Sequence, residues 1–253
     1  QYLGPALFRP DVHINAFHGK VVTRICFRGY IQPLQEAAMA TKPSSFQLKP
    51  TNPIRQDPPG AVKTMPSPRE MHHAHIFTNE KYEEMIEFYK MLFNAEVVAV
   101  HDHVASLTFI TYDDHDHRVV LIKRPGLKPK VPNSVGVSHI AYCYESLGEL
   151  IFIYKRLKES GHLPPQWCVN HGNSTSFYYT DPDGNEVETM MDNFSTIDTQ
   201  EYKRIYQFTE AFGETPEADF DPDKMVALYE SGVPDTVLLD REEVRRMRLE
   251  GTL

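Results

Sequence analysis

The sequence contains little cysteine, and its three cysteines lie far apart. Cys26, Cys143 and Cys168 form no CxxC pair, whereas small secreted domains usually carry a dense set of cysteines. The residues near the N-terminus also lack the apolar segment of a secretory signal peptide. We therefore expect a reduced, intracellular protein in the cytoplasm.

Positive charge and long apolar runs are scarce as well. Lysine and arginine number 26 against 35 acidic residues, which gives a formal net charge of −9. Proteins that bind nucleic acid usually show the opposite excess, so we expect no nucleic-acid partner. No apolar run approaches the roughly 20 residues that a membrane-spanning helix needs, so we also expect no membrane partner.

Histidine, in contrast, is abundant. The chain has 12 histidines, and seven of them lie within residues 72–117. Imidazole is a common metal ligand, and it gains or loses a proton near neutral pH. The enrichment therefore favours metal or proton chemistry.

Hydrophobic patterning divides the chain into three segments. Residues 1–70 show little periodicity, although residues 21–27 could form a strand, and they are predicted to be an extension or linker. Residues 71–195 alternate strand and helix patterns and form the predicted central domain. Residues 196–253 have helical patterns and are predicted to cover one side of the sheets.

The middle segment contains one structural unit twice. Residues 72–125 show a strand, a helix and three strands, and residues 137–191 repeat that order after a proline-rich connector. His73 and His139 occupy equivalent places, 66 positions apart. The sequence therefore predicts an α+β fold built from two paired βαβββ modules.

A β-hairpin is predicted at the end of the second module. Residues 174–180 and 186–191 have strand patterns, and residues 181–185 have the Asp, Pro, Gly and Asn composition of a tight turn. Glu186 and Glu188 share one face of the second strand of this hairpin, and either could point inwards. A carboxylate that points inwards needs a cation or a metal as its partner.

Three side chains of the two modules could meet at one metal. His73 and His139 lie in the first strand of their modules, and Glu188 lies in a last strand. Two imidazoles and one carboxylate form the ligand set of non-haem Fe(II) oxygenases. Residues 119–122, at the fourth equivalent place, offer no ligand, which leaves room for substrate and O₂. His75 shares the face of His73 and stays open as an alternative ligand or a residue lining the site.

The hairpin also resembles a known family. The run Val169-Asn-His171, followed by Phe177-Tyr178-Tyr-Thr-Asp181-Pro-Asp-Gly184-Asn-Glu-Val-Glu188, resembles the signature of type I extradiol ring-cleavage dioxygenases, in the vicinal oxygen chelate superfamily. Residues 72–191 are similar to the catalytic part of these enzymes. Residues 1–70 are too short to contain the second pair of modules that larger members carry upstream, so we expect only one pair in this sequence.

The resemblance implies an activity, a cofactor and partners. It implies an Fe(II) enzyme, with Mn(II) as the less common metal, that opens the ring of a catechol-type substrate and incorporates both atoms of O₂. The metal ligands that it implies are His73, His139 and Glu188. A homo-oligomer is a further expectation.

The resemblance also implies roles for residues beside the metal. His171 falls on the acid–base histidine of the family, and Tyr178 falls on a tyrosine that hydrogen-bonds near the substrate oxygen. Asp116-His117 resembles a His-His run, which makes His117 a second pocket histidine although the first histidine is replaced. A histidine with a pKa near 6.5 can take a proton from the substrate and return one.

Three other functions stay open. A glyoxalase-type lyase or isomerase usually has one carboxylate ligand from each module, and residues 119–122 offer none. A binding protein of the bleomycin-resistance kind lacks the metal ligands altogether. A ring-opening oxygenase of secondary metabolism would share all the features above, with a polyketide phenol as its substrate.

Overall fold

The computed structural model describes residues 65–101, 106–131, 134–207 and 218–253. The expectations for residues 1–64, including the strand at 21–27, lie outside this part of the chain. Residues 68–253 form one compact unit, to which the elements below belong. In the described ranges, no helix combines the length and apolar character needed to cross a bilayer.

The first module has the predicted order of elements. Its strands and helix are β1 (Ala74–Thr78), α1 (Tyr82–Phe93), β2 (Glu96–His101), β3 (Leu107–Thr111) and β4 (Val119–Lys123). They form a four-stranded sheet in the order β1-β4-β3-β2. β1 and β4 are parallel, and the other neighbours are antiparallel.

The second module repeats this order. It consists of β5 (His139–Cys143), α2 (Leu147–Glu159), β6 (Trp167–Asn170), β7 (Ser174–Thr180) and β8 (Glu186–Asp192). The sheet order is β5-β8-β7-β6, with β5 and β8 parallel. The predicted α+β fold of two βαβββ modules is therefore confirmed.

The helices have identifiable start and stop signals. The Ser146 hydroxyl accepts a hydrogen bond from the backbone N–H of Glu149 and caps the start of α2. The chain leaves α2 at Gly161, whose φ of +79° is the left-handed conformation that glycine adopts without a steric penalty. Asn94 adopts the same conformation at the end of α1.

Each sheet packs one face against the helices, and its other face carries the predicted site residues. The core contains residues from both helices and from one side of the strands, among them Met85, Leu92, Ile110, Leu121, Leu150, Leu157, Phe177 and Val187. Because strand residues alternate between faces, His75 and Phe77 lie on the opposite side of the first sheet. Tyr178 and Glu188 lie on the corresponding side of the second sheet.

The tail is helical where the structure describes it. It contains α3 (Thr196–Tyr202), a π-helical turn (Lys203–Gln207), α4 (Pro222–Glu230), α5 (Asp235–Leu238) and α6 (Arg241–Leu249). Asp221 caps α4 through its carboxylate. The tail packs against the second module, where the Tyr154 hydroxyl donates to Asp223 over 2.7 Å and the Asn170 amide donates to the Leu239 carbonyl over 2.9 Å.

Candidate active site

The second sheet brings a predicted imidazole and a predicted carboxylate together. His139 is the first residue of β5, and Glu188 lies in the adjacent strand β8. Nε2 of His139 lies 3.0 Å from Oε2 of Glu188, and its Nδ1 lies 3.4 Å from Oε1 of Glu186. The Glu188 side chain is only 8% exposed, so this carboxylate depends on its local partners.

The distance between these two groups fits shared metal ligation. Ligand atoms about 2.1 Å from one ion and at right angles to each other lie about 3 Å apart, close to the 3.0 Å observed. An imidazole and a carboxylate are two of the three ligands in a two-histidine, one-carboxylate set. The donor chemistry of His139 and Glu188 therefore suits a divalent iron or manganese ion.

A hydrogen-bonded pair lies beside this contact. Nε2 of His171 is 3.1 Å from the Tyr178 hydroxyl, and the Tyr178 ring meets the His139 ring edge-on, with 5.4 Å between centroids. Burial, followed by the negative charge of Glu188, raises the pKa of Tyr178 above its ordinary value. Tyr178 therefore keeps its proton at neutral pH and is available as a hydrogen-bond donor.

Burial has the opposite effect on His171. Desolvation lowers the pKa of His171 below 6.5, while the charges of Glu188 and Asp219 act in the raising direction and those of Arg241 and His139 in the lowering direction. The imidazole is therefore neutral at pH 7 and has one nitrogen free to accept a proton. This is the state that a general base requires.

Trp167 is a site residue that the sequence reasoning missed. Trp167 and Tyr178 are direct partners in the β6–β7 pairing, and their rings stack with 4.9 Å between centroids. Trp167 also meets His171 edge-on at 5.5 Å. It is the single tryptophan of the chain, and its cross-strand pairing with Tyr178 follows from the β6–β7 register, which could have identified it.

An asparagine network holds the loop that carries His171. The Asn193 amide donates to the carbonyls of Gly172 and Leu239 over 2.9 and 3.2 Å, and the Asn170 side chain accepts from the Gly172 N–H over 2.7 Å. Gly172 has a φ of +90°, and a side chain there would overlap the Tyr202 hydroxyl. Hydrogen bonds and contacts from β6, from the residue that follows β8 and from the tail therefore fix the conformation of this loop.

The first sheet presents a separate group of histidines. His73 immediately precedes β1, and its ring centroid lies 4.6 Å from that of His117. His75 is exposed, and its ring lies 6.4 Å from His73. Desolvation, followed by repulsion from neighbouring imidazoles, lowers the pKa of His73 below 6.5. His73 is therefore a neutral imidazole at pH 7, which is the form that binds metals.

The structure brings together two of the three predicted metal ligands. His139 and Glu188 are in contact. In the described ranges, the set of three metal-ligating side chains with ligand atoms within 4.8 Å of one another is His72, His73 and His117. His73 does not complete such a set with His139 and Glu188. The assignment of all three to one ion stays a prediction, and the same is true of the roles of His171, Tyr178 and His117.

Comparisons with known proteins identify relatives of this chain. Residues 70–189 match the Glyoxalase/Bleomycin resistance protein/Dioxygenase superfamily. Biphenyl-2,3-diol 1,2-dioxygenase 2 of Rhodococcus globerulus is 36% identical over 179 residues, which cover 70% of this chain and 88% of that protein. Biphenyl-2,3-diol 1,2-dioxygenase 3 of the same organism is 37% identical over 139 residues, which cover 54% and 71%.

Solved structures also match this chain, among them the following domain. It is a glyoxylase/bleomycin resistance protein/dioxygenase domain from Frankia sp. EAN1pec, with 14% identity and a TM-score of 0.43. The match covers 50% of this chain and 99% of that domain.

Proposed function

The chain belongs to the glyoxalase/bleomycin resistance protein/dioxygenase superfamily, and we propose that it is an Fe(II)-dependent extradiol dioxygenase that cleaves a catechol-type ring with O₂. Both curated relatives are named as dioxygenases of a ring-hydroxylated aromatic diol. The observation that carries the proposal is the 3.0 Å contact of His139 and Glu188, with the His171–Tyr178 pair beside it.

His73, His139 and Glu188 are the proposed metal ligands. His139 and Glu188 come from adjacent strands of one sheet, and His73 comes from the equivalent place in the first module. The bound metal would supply the chemistry with O₂ that amino-acid side chains lack. A set of three ligands leaves positions free for small molecules, whereas a fully liganded structural site does not.

His171 and Tyr178 are the proposed proton-handling residues. A catechol must lose a proton to bind a metal through both oxygens, and a neutral histidine at hydrogen-bonding distance can accept that proton. In this arrangement Nε2–H of His171 donates to the Tyr178 oxygen, which leaves Nδ1 of the ring as the proton acceptor. Because Tyr178 keeps its own proton, its hydroxyl can donate to the substrate oxygen. Trp167 packs against both side chains and restricts their rotation. His117 is proposed to assist from the first sheet.

The glyoxalase-type alternative lacks a ligand that it needs. The β1–β4 register pairs His75 with Val120, and the β5–β8 register pairs Ala141 with Glu188. With His73 equivalent to His139, the first-module counterpart of Glu188 is therefore Val120. A valine cannot bind a metal, so a ligand set with one carboxylate from each module cannot form here.

Oxygen uptake with a panel of catechols tests the proposal. Iron-loaded protein is incubated with catechol, 3-methylcatechol, 4-methylcatechol and biphenyl-2,3-diol, while O₂ consumption and the appearance of a yellow ring-fission product are followed together. We expect one O₂ consumed for each ring opened. Turnover of a glutathione hemithioacetal without O₂ uptake would instead support the glyoxalase-type function.

A further inference from the structure

The three histidines at the edge of the first sheet have a geometry of their own. The ligand atoms of His72, His73 and His117 all lie within 4.8 Å of one another, and Nδ1 of His72 is 3.0 Å from Nδ1 of His73. Nitrogens bound to one tetrahedral zinc ion lie about 3.3 Å apart, given zinc–nitrogen bonds of about 2.0–2.1 Å. The observed separations, from 3.0 Å to at most 4.8 Å, bracket that value.

Asp116 orients one of the three rings for ligation. Its Oδ2 lies 2.7 Å from Nδ1 of His117, which leaves Nε2 of that ring for a metal. A carboxylate behind a ligating imidazole fixes the tautomer and raises the basicity of the ligand.

The backbone before His73 is also fixed. Arg118 donates to the carbonyls of Met71 and His72 over 3.2 and 3.1 Å, and it pairs with Asp113 and Glu70. Only 13% of the Arg118 side chain is exposed. The segment that presents the two adjacent histidines is therefore held in place before any ion arrives.

We propose that His72, His73 and His117 form a second cation site, selective for a late transition-metal dication such as Zn²⁺. Three imidazoles and a water are a common zinc environment, and imidazole ligands favour zinc, copper and nickel over magnesium or calcium. The site shares His73 with the proposed iron site, and its other two ligands, His72 and His117, come from the first module. A zinc ion bound there withdraws His73 from iron, so zinc acts as an inhibitory ligand.

Zinc titration separates the two sites. The background is the full chain with His139→Ala and Glu188→Ala, in which the proposed iron site has lost two ligands. In this background we compare three proteins: the background protein itself, the protein with His72→Ala added, and the protein with His75→Ala added. The zinc affinity of each is measured by competition with a chromophoric chelator, with Zn²⁺ as the only added metal. His75 is the matched control because it is an exposed histidine next to His73 but outside the group of three. Circular dichroism verifies that each variant is folded.

The proposal predicts a specific loss of affinity. We expect about one zinc per chain in the background and in the His75→Ala variant. After His72→Ala, which removes a ligand, we expect the affinity to fall by more than the roughly 10- to 100-fold that loss of an outer-shell partner costs. Equal zinc affinity in the His72→Ala and His75→Ala variants would overturn the site.

The zinc measurement uses no enzyme activity. Failure of the proposed dioxygenase function therefore leaves its result interpretable, and failure of the zinc site leaves the dioxygenase proposal intact.

Discussion

His171 is the residue on which the proposed proton chemistry depends. Burial keeps its imidazole neutral at pH 7, Tyr178 holds one ring nitrogen at 3.1 Å, and the backbone N–H of His171 donates to the Ser174 carbonyl over 2.8 Å. His171 is therefore fixed both at its backbone and at the end of its side chain. A side chain held in this way can exchange protons with a substrate without first reorganising.

Replacement of His171 should affect turnover more than metal binding. We expect His171→Gln to lower kcat about 10²- to 10⁴-fold, the usual contribution of a general acid–base residue, with iron content unchanged. O₂ uptake and metal analysis of the same samples measure both effects. His162→Gln, at a half-buried histidine after α2, is the matched control and should retain full activity. A loss of less than threefold in His171→Gln would remove His171 from the mechanism.

The pH dependence of activity follows from the same side chain. His171 has a pKa below 6.5, so its neutral, proton-accepting form predominates above that value and is lost as the pH falls through the lowered pKa. We predict that kcat/KM declines on the acidic side with a midpoint below pH 6.5, and that this decline is absent in His171→Gln. A midpoint clearly above pH 6.5 would contradict the assignment.

At the scale of elements, the hairpin turn joins the two modules. The Tyr89 hydroxyl of α1 donates to Asp181 over 3.0 Å, and Asn185 donates twice to the same carboxylate over 2.8 Å. Asp181 is 3% exposed, and burial raises its pKa above the ordinary value of 3.8. The sequence predicted Asp181 as a turn former, but its partner Tyr89 lies 92 positions away and could not be inferred from local pattern.

Removal of the Tyr89 hydroxyl should weaken this junction. We expect Tyr89→Phe to lower the free energy of unfolding at pH 7 by about 1–3 kcal/mol, because a buried carboxylate loses one of its donors. Urea unfolding measures the change. Tyr112→Phe removes a hydroxyl from a half-exposed ring and should change stability by less than about 0.5 kcal/mol.

The effect of Tyr89→Phe should also depend on pH in a defined direction. Loss of the donor raises the pKa of Asp181 further in the folded state. The decrease in the free energy of unfolding is therefore largest at a pH where the carboxylate is ionised, and it should become smaller as the pH falls and Asp181 is protonated. Urea midpoints at pH 7 and pH 4.5 test this, and an equal or larger effect at pH 4.5 would contradict the account.

At the scale of the whole molecule, repetition in the sequence was enough to predict the two modules. The sequence shows three signals directly: strand alternation, helical spacing and the 66-residue offset between His73 and His139. The observed strands and helices follow these signals closely. The stacking of Trp167 on Tyr178 and the asparagine network were not predicted, since both depend on register and on where the tail packs. The grouping of His73 with His72 and His117 was missed for the same reason.

The tail should influence the site through Asn193. Its amide links the loop of His171 to Leu239, and its carbonyl accepts from the buried Thr175 hydroxyl over 2.8 Å. We expect Asn193→Ala to destabilise the protein by about 1–3 kcal/mol, because buried polar partners are left without hydrogen bonds. We also expect a lower kcat, since His171 loses its fixed position. Thermal unfolding and O₂ uptake check the two effects, and unchanged values for both would refute the link.

The central claim is that His73, His139 and Glu188 bind one ferrous ion. Anaerobic Fe(II) titration of the wild-type chain and of the His73→Ala, His139→Ala and Glu188→Ala variants tests it most directly, with His75→Ala as the control. The account predicts one iron per chain in the wild type and the control, and loss of tight binding in each of the three variants with far-UV circular dichroism unchanged. Undiminished iron binding in any of the three would contradict it.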